Sequence, residues 1–253
     1  ARLKEDLRGL AENQVLGRDS PPMQLKRILE EELRTRNGEP VPVDIFCEAM
    51  EIRDPAWRNA IEGYLYHRKF DILVPPDYFK AALALYRKYR LSHGLEDAGL
   101  VNTASLLQEA PAAPERSLAS EIDAEIDYIR AYADRLLGGV VKCESEDELT
   151  QHAAAITPAG MFYQDYSIRQ IPWAYFELPY IGKEAVRFQL DRKREALQEE
   201  ERLLAEAERP IAAAASAGSP ALDKTDRYPP RAQELEQLQG KAGLEEDLAA
   251  QER

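Results

Sequence analysis

The chain has 253 residues, of which 44% are hydrophobic and 31% are charged, and its formal net charge is -13. Residues 39–183 contain 14 Lys and Arg against 23 Asp and Glu, so this central part carries 14 - 23 = -9. Strong DNA binding by this part alone is therefore disfavoured, because counterion release from DNA needs clustered positive charge. No apolar run approaches the roughly 20 residues that cross a bilayer, so we expect a cytoplasmic protein with no membrane contact.

Residues 1–38 are predicted to form a helical arm. Leucines recur at helical spacing before and after Pro21-Pro22, namely at Leu3, Leu7 and Leu10 and again at Leu25, Leu29 and Leu33. A proline pair removes backbone donors and clashes with the preceding turn, so the arm is predicted to break there. Asn37-Gly38 provides a helix stop, because both residues tolerate the left-handed conformation.

The first half of the centre, residues 39–117, alternates between strand and helix patterns. Asp54-Pro55 is a typical helix start, with Asp as the N-cap and Pro in the first turn. In chain order we predict a strand at 43–52, a helix at 56–66, a strand at 70–74, a helix from 75–77 to 89, a strand at 99–102 and a connector at 103–116.

The second half, residues 118–182, repeats this order. We predict a helix at 118–137, a strand at 140–143, a helix capped by Ser145 and Glu148, and a strand at 155–157. The order helix, strand, helix, strand thus occurs twice. The sequence predicts an α/β domain built from two similar subdomains.

Residues 183–253 are predicted to form a second arm. Leu190, Leu197 and Leu204 lie seven residues apart, as in a heptad stripe, and a proline-rich break at 210–230 follows. An isolated polar helix is marginal in water unless its stripe meets a partner. We therefore predict that the two arms pair antiparallel, the alternative being helical linkers or disordered tails.

No catalytic, cofactor-binding or metal-binding residues are predicted. The sequence has no G-x-x-x-x-G-K-[ST] phosphate loop, and its histidines lack ligand-like spacing with the two cysteines. The acidic run at residues 144–148 suits a helix start better than a cation site. A rival interpretation is an α/β small-molecule-binding or transferase-like enzyme with helical extensions. It would need a pocket with convergent polar groups, and no motif supplies one.

Seven of the 20 aromatic residues lie between Met161 and Tyr180. Tyr and Arg are enriched at the centres of protein interfaces, which makes this segment a candidate dimer interface through Tyr163, Gln164, Tyr166 and Arg169. The alternative is that its aromatics seal the domain where the second arm leaves.

Two short basic runs are candidate DNA contacts, because a local patch can attract phosphate despite a negative total charge. They contain Arg68 and Lys69, and Arg87, Lys88 and Arg90. The alternative is that both runs are solvated helix faces.

Motifs of one known family recur along the centre of the chain, at Cys47-Glu48, Trp57, Ala60, Ile61, Glu62, Leu65, the strand 71–74, Ala131, Leu136-Leu137-Gly138, the strand into Cys143, and the run from Ile156 to Arg169. With these motifs the sequence resembles the hinge of SMC proteins, a domain inserted between antiparallel coiled coils. The resemblance covers roughly residues 44–183, and within the family it is strongest to Wadjet-type (MukB-like) bacterial subunits. Residues 164–169 stand where typical SMC hinges have a glycine-rich segment.

The resemblance implies a non-catalytic, homodimerising hinge of a DNA loop-extruding ATPase in a bacterial anti-plasmid defence complex. It implies ATPase heads outside this chain that bind ATP and Mg, and partner subunits of three kinds: a kleisin, a winged-helix accessory subunit and a nuclease. DNA is expected to bind weakly to this fragment or through the whole complex.

Overall fold

The computed structural model describes residues 16–216, and the side chains of residues 16–206. Its first helix, α1, spans Pro21–Asn37 and has proline in its first turn. It ends at Gly38, whose φ is +82° and whose N–H donates to the Arg34 carbonyl at 2.8 Å. The predicted helix stop is confirmed. Pro21-Pro22 begin this helix, as proline in a first turn can, and residues 1–15 lie outside the described part.

The first half contains short strands and three further helices. They are β1 (Asp44–Ile45), β2 (Glu51–Ile52), α2 (Arg58–Leu65), β3 (Ile72–Leu73), α3 (Phe79–Tyr89) and α4 (Thr103–Glu109). The prediction of a connector over residues 103–116 is wrong for α4, which Asn102 caps by accepting from Ser105 N–H. The prediction of one strand over residues 43–52 is wrong, because a 3-10 turn at Phe46–Glu48 separates β1 from β2. Phe46 and Cys47 are both fully buried, and adjacent side chains on a strand would point to opposite faces.

The stripe of α1 packs on this half. Leu25, Leu29 and Leu33 are at most 2% exposed, and α1 contacts α3, β1 and β3. The expectation that these leucines pair with the second arm is corrected: their apolar surface is already buried within the domain.

The second half contains β4 (Ile122–Asp123), α5 (Asp127–Leu137), β5 (Val141–Lys142), β6 (Ala154–Ile156), β7 (Met161–Gln164) and β8 (Ser167–Gln170). Strands β5 to β8 form one sheet in chain order; β5 and β6 are parallel, and the other pairs are antiparallel. The prediction of one helix over residues 118–137 is wrong. Ile122 leaves the helical path to pair with Ile52 of β2, and α5 begins five residues later.

The two halves repeat one pairing pattern. In the first, Ile72 pairs antiparallel with Ile45 and parallel with Leu100. In the second, Val141 pairs antiparallel with Ser117 and parallel with Ala155. The equivalent strands β2 and β4 pair with each other, Glu51 opposite Asp123 and Ile52 opposite Ile122. The predicted α/β fold of two similar subdomains is confirmed, and one continuous core joins them.

The last helix, α6, spans Gly182–Ser216. It begins where predicted but continues through Pro210, so a break at that proline is not found. The alanines after Pro210 are strong helix formers and offset the loss of one backbone hydrogen bond. The rest of the predicted break, from residue 217 onward, lies outside the described residues.

Candidate dimer edge and arm junction

The β7–β8 hairpin ends in a strained, exposed turn. Asp165 and Tyr166 have φ values of +52° and +60°, a pair of left-handed conformations that two-residue hairpins usually fill with Asn-Gly. A bulky residue at positive φ is a genuine outlier, and Tyr166 is 98% exposed. Strained conformations of this kind cluster at functional sites, so this turn is a candidate functional site.

The outer side of β8 has no strand partner among residues 16–216. Ile168, in the middle of β8, is 53% exposed and lies directly opposite Tyr163 of β7. An open edge that carries an exposed apolar residue tends to associate with another strand unless it is covered. The structure thus presents a candidate interface at this edge.

The four residues predicted for the interface lie in this hairpin but on different faces. Tyr163 is half-buried and packs against the small cluster of Cys143, Leu149 and Ala155. Arg169 lies opposite Phe162, whose ring meets that of Tyr64 edge-on at 5.2 Å on the other face. Gln164 and Tyr166 are exposed near the tip.

Ile168 was missed by the sequence prediction, which selected residue types enriched at interfaces. The signal that could have found it is strand alternation, because opposite residues of a hairpin share a face.

A second open edge occurs in the first half. Residues 99–101 bind one side of Ile72 through Ile72 N–H to Gly99 O at 2.8 Å and Val101 N–H to Ile72 O at 2.9 Å. The equivalent strand in the second half, β6, is covered on its far side by β7. In the part of the chain that the structure describes, no strand covers residues 99–101 in the same way.

Lys69 belongs to a buried ion pair and is therefore withdrawn as a DNA contact. Its Nζ lies 2.8 Å from Glu62 Oε2, and the two side chains are 3% and 0% exposed. The same Nζ donates to the carbonyls of Tyr175 at 3.0 Å and Glu62 at 3.2 Å. A phosphate could not reach it without opening the domain.

This ion pair lies at the junction with α6. Glu62 Oε1 accepts the N–H groups of Tyr180 at 2.6 Å and Ile181 at 2.8 Å. Tyr180 also packs edge-on against Phe70, with ring centroids 4.8 Å apart. These contacts favour the sealing role for Tyr175 and Tyr180, whereas Trp173 is 62% exposed and does not share it.

The other basic candidates are exposed. Arg68, Arg87 and Arg90 face solvent. Lys88 forms an ion pair with Glu32 at 3.4 Å, and its pKa is raised by the hydroxyl of Tyr89 and by Glu32. Part of the positive charge at the end of α3 is thus neutralised by α1.

The two cysteines are free and buried, and burial raises the pKa of each thiol. Such thiols are poor nucleophiles. Among the described residues, no three His, Cys, Asp or Glu side chains are grouped as metal ligands, and no helix has the length and apolar character of a membrane span.

Neither a protein-family model nor a curated protein sequence matches this chain. Solved structures to which it is similar include a Pyrococcus furiosus Smc hinge domain with an extended coiled coil, at 16% identity, TM-score 0.44, and coverage of 99% of this chain and 86% of that one. An asymmetric dimer of the Geobacillus stearothermophilus SMC hinge domain has 17% identity, TM-score 0.42, and coverage of 83% and 93%. The S. pombe Smc5/6 hinge domain has 14% identity, TM-score 0.44, and coverage of 99% and 95%. At these identities and TM-scores, the similarities do not assign the chain to a family.

Proposed function

We propose that this chain is the dimerisation hinge of an SMC-like protein, with two α/β halves that hold the bases of two helical arms. The open edge of β8, with Ile168 and Tyr166 exposed beside it, is the observation that carries the proposal. An unpaired strand edge gains backbone hydrogen bonds when a second strand adds to it. A second copy of the chain is the simplest supplier of that strand.

The strand supplied by the second copy is its open edge at residues 99–101. Each chain has one such edge in its first half and β8 in its second half. A two-fold axis would therefore form the β8 contact twice, with each chain giving one edge and receiving the other. Both edges would then be covered, which removes the association hazard.

The resemblance of the sequence to the hinge of Wadjet-type SMC proteins supports a wider proposal for the parent protein. The arms lead to ATPase heads that bind ATP and Mg, and the hinge itself is non-catalytic. The parent belongs to a Wadjet-type complex that extrudes DNA loops in anti-plasmid defence, with a kleisin, a winged-helix accessory subunit and a nuclease. The exposed Arg68, Arg87, Lys88 and Arg90 contribute a weak DNA contact.

Cysteine crosslinking between two differently tagged chains tests the edge pairing. A chain with Ile168→Cys is mixed with a chain with Leu100→Cys, and a crosslinked heterodimer is expected. The control replaces Leu100→Cys by Leu91→Cys, a residue that is 72% exposed on the segment after α3, and should give no heterodimer. Crosslinking of Ile168→Cys only to itself would reject the proposed partner edge.

A further inference from the structure

The Glu62–Lys69 pair forms hydrogen bonds with its neighbours through the Lys69 ammonium group and both Glu62 carboxylate oxygens. Lys69 donates to Glu62 Oε2, Glu62 O and Tyr175 O, which accounts for the three hydrogens of its ammonium group. The other carboxylate oxygen of Glu62 accepts hydrogen bonds from the N–H groups of Tyr180 and Ile181. Both charged groups therefore hold the segment that leads into α6.

Stability alone does not explain this pair. Removing two charges from water is costly, and apolar residues of similar volume often hold a core equally well. What an apolar pair cannot do is bind the backbone of residues 175–181. The partners of the pair thus indicate that it defines the path of this segment.

A strained backbone conformation at Tyr66 accompanies the Glu62–Lys69 pair. Tyr66, directly after α2, has φ +47° and ψ -120°, a conformation that non-glycine residues rarely adopt. This sharp turn brings Lys69 back against Glu62, seven residues earlier. The Tyr66 ring packs against that of Tyr175 with centroids 4.0 Å apart, so the strained turn and the segment before α6 support each other.

A second carboxylate from the first half holds the next backbone group. Lys183 N–H donates to Glu51 at 3.1 and 3.2 Å. Gly182 permits this approach, because its φ is +76° and a side chain there would collide with Glu51. Carboxylates are favoured at the positive end of a helix dipole, and here both come from residues more than 100 positions earlier in the chain.

We infer that Glu62, Lys69 and Glu51 form a rigid coupling that fixes the direction in which α6 leaves the first half. This role does not require dimerisation, because all of the contacts lie within one chain. The coupling makes the base of the second arm turn together with the first half.

Electron spin resonance distances test the coupling. Spin labels are placed at Leu91→Cys after α3 and Arg194→Cys on α6, which are 72% and 64% exposed, while Cys47 and Cys143 are buried. Labelled chain is diluted in unlabelled chain, so that distances between chains do not contribute. The starting protein should give one narrow distance distribution.

The test variant is Glu62→Leu/Lys69→Met, which leaves the backbone of residues 175–181 without its partners. Its distribution should be at least about twofold wider, while far-ultraviolet circular dichroism is unchanged. Glu62→Gln/Lys69→Met keeps an acceptor for Tyr180 and Ile181 and should give an intermediate width; it also serves if the first variant does not fold.

The matched control is Glu121→Gln/Lys142→Met, which removes a half-buried ion pair between two residues of the second half and should leave the distribution narrow. The coupling is rejected if both variants of the Glu62–Lys69 pair stay as narrow as the starting protein. It is also rejected if the control widens as much as they do.

Discussion

Tyr132 of α5 donates its hydroxyl to the Asp71 carboxylate over 2.5 Å and so joins the second half to the first. One turn earlier on α5, Tyr128 donates to Asp44 at 2.8 Å. Burial raises the pKa of Asp71, and the Tyr132 hydroxyl opposes that rise. The pKa of Tyr132 is itself raised, by burial and by Asp71. One face of α5 thus forms hydrogen bonds to Asp44 and Asp71, which connect the second half to the first.

Stability should depend on pH through Asp71. Because its folded pKa lies above the ordinary value of 3.8, the folded state holds the proton more tightly. The resulting stability is fully present below 3.8 and is lost as the pH rises through the folded pKa. Asp71→Asn should lack this loss, so the free energy of unfolding of the starting protein, measured relative to Asp71→Asn, should fall as the pH rises above 3.8.

Tyr132→Phe should increase the loss of stability that occurs as the pH rises. It removes the hydrogen bond that opposes the rise in the Asp71 pKa, and we expect a destabilisation of about 1–2 kcal/mol at neutral pH. Tyr86→Phe is the control, since within the described part of the chain that hydroxyl bonds only to the Leu95 carbonyl at 3.4 Å. Urea unfolding between pH 4 and about pH 8 measures both effects, and equal pH profiles for the two Phe variants would contradict the assignment.

Lys69→Met alone should destabilise the domain by roughly 3–5 kcal/mol, because it leaves the Glu62 charge buried without its partner. Adding Glu62→Gln should recover a large part of that loss, since no buried charge then remains and the amide oxygen still accepts from Tyr180 and Ile181. Urea unfolding of the two variants measures the difference. A double variant less stable than Lys69→Met would show that the pair is needed for the fold itself.

DNA binding should be weak, with Kd values of about micromolar at ~50 mM salt that are lost near ~200 mM. Arg87→Glu/Arg90→Glu should reduce it further, whereas Arg135→Glu, exposed on α5, should change it less. Fluorescence anisotropy with a labelled duplex measures this. A nanomolar Kd that persists at high salt would overturn the proposed minor role of these residues.

The two arms are proposed to pair antiparallel beyond the domain. Leu29 is buried in the domain, so the informative pair is Leu10→Cys with Leu197→Cys, both on the predicted stripes. An intramolecular crosslink is expected, and Glu195→Cys in place of Leu197→Cys should crosslink less. Equal yields for both positions would indicate arms without a defined seam.

The sequence predicted most of the order of elements because local signals mark where many of them begin, but it missed α4, which lies in the predicted connector. The Asp54 side chain accepts from Ala56 N–H at 2.9 Å, as its capping pattern indicated. Ser145 accepts from Asp147 N–H at 3.2 Å, but the predicted helix that follows it is a 3-10 helix at Glu146–Gln151. Helix α3 also ends at Tyr89 as predicted.

Contacts between residues far apart in the chain determine the features that could not be predicted from the sequence. Lys69 lies in a run that is typical of a solvated surface, and its burial depends on the backbone of Tyr175, 106 residues away. Ile122 had the spacing of a helix, but a strand contact to Ile52, 70 residues earlier (122 - 52 = 70), decided its conformation. Ile168 similarly becomes notable only once β8 is known to be the last strand of its sheet.

The mass of the chain in solution tests the central claim most directly. In sedimentation equilibrium, the chain should approach twice its own mass of 28.6 kDa at high micromolar concentration. Tyr166→Lys/Ile168→Lys should remain a folded monomer, while Leu91→Lys, which adds a lysine at an exposed position outside β8, should still dimerise. Tyr163 is left unchanged because it is half-buried and its replacement would disturb the fold. A chain that stays at 28.6 kDa throughout, or an edge variant that dimerises fully, would contradict the account.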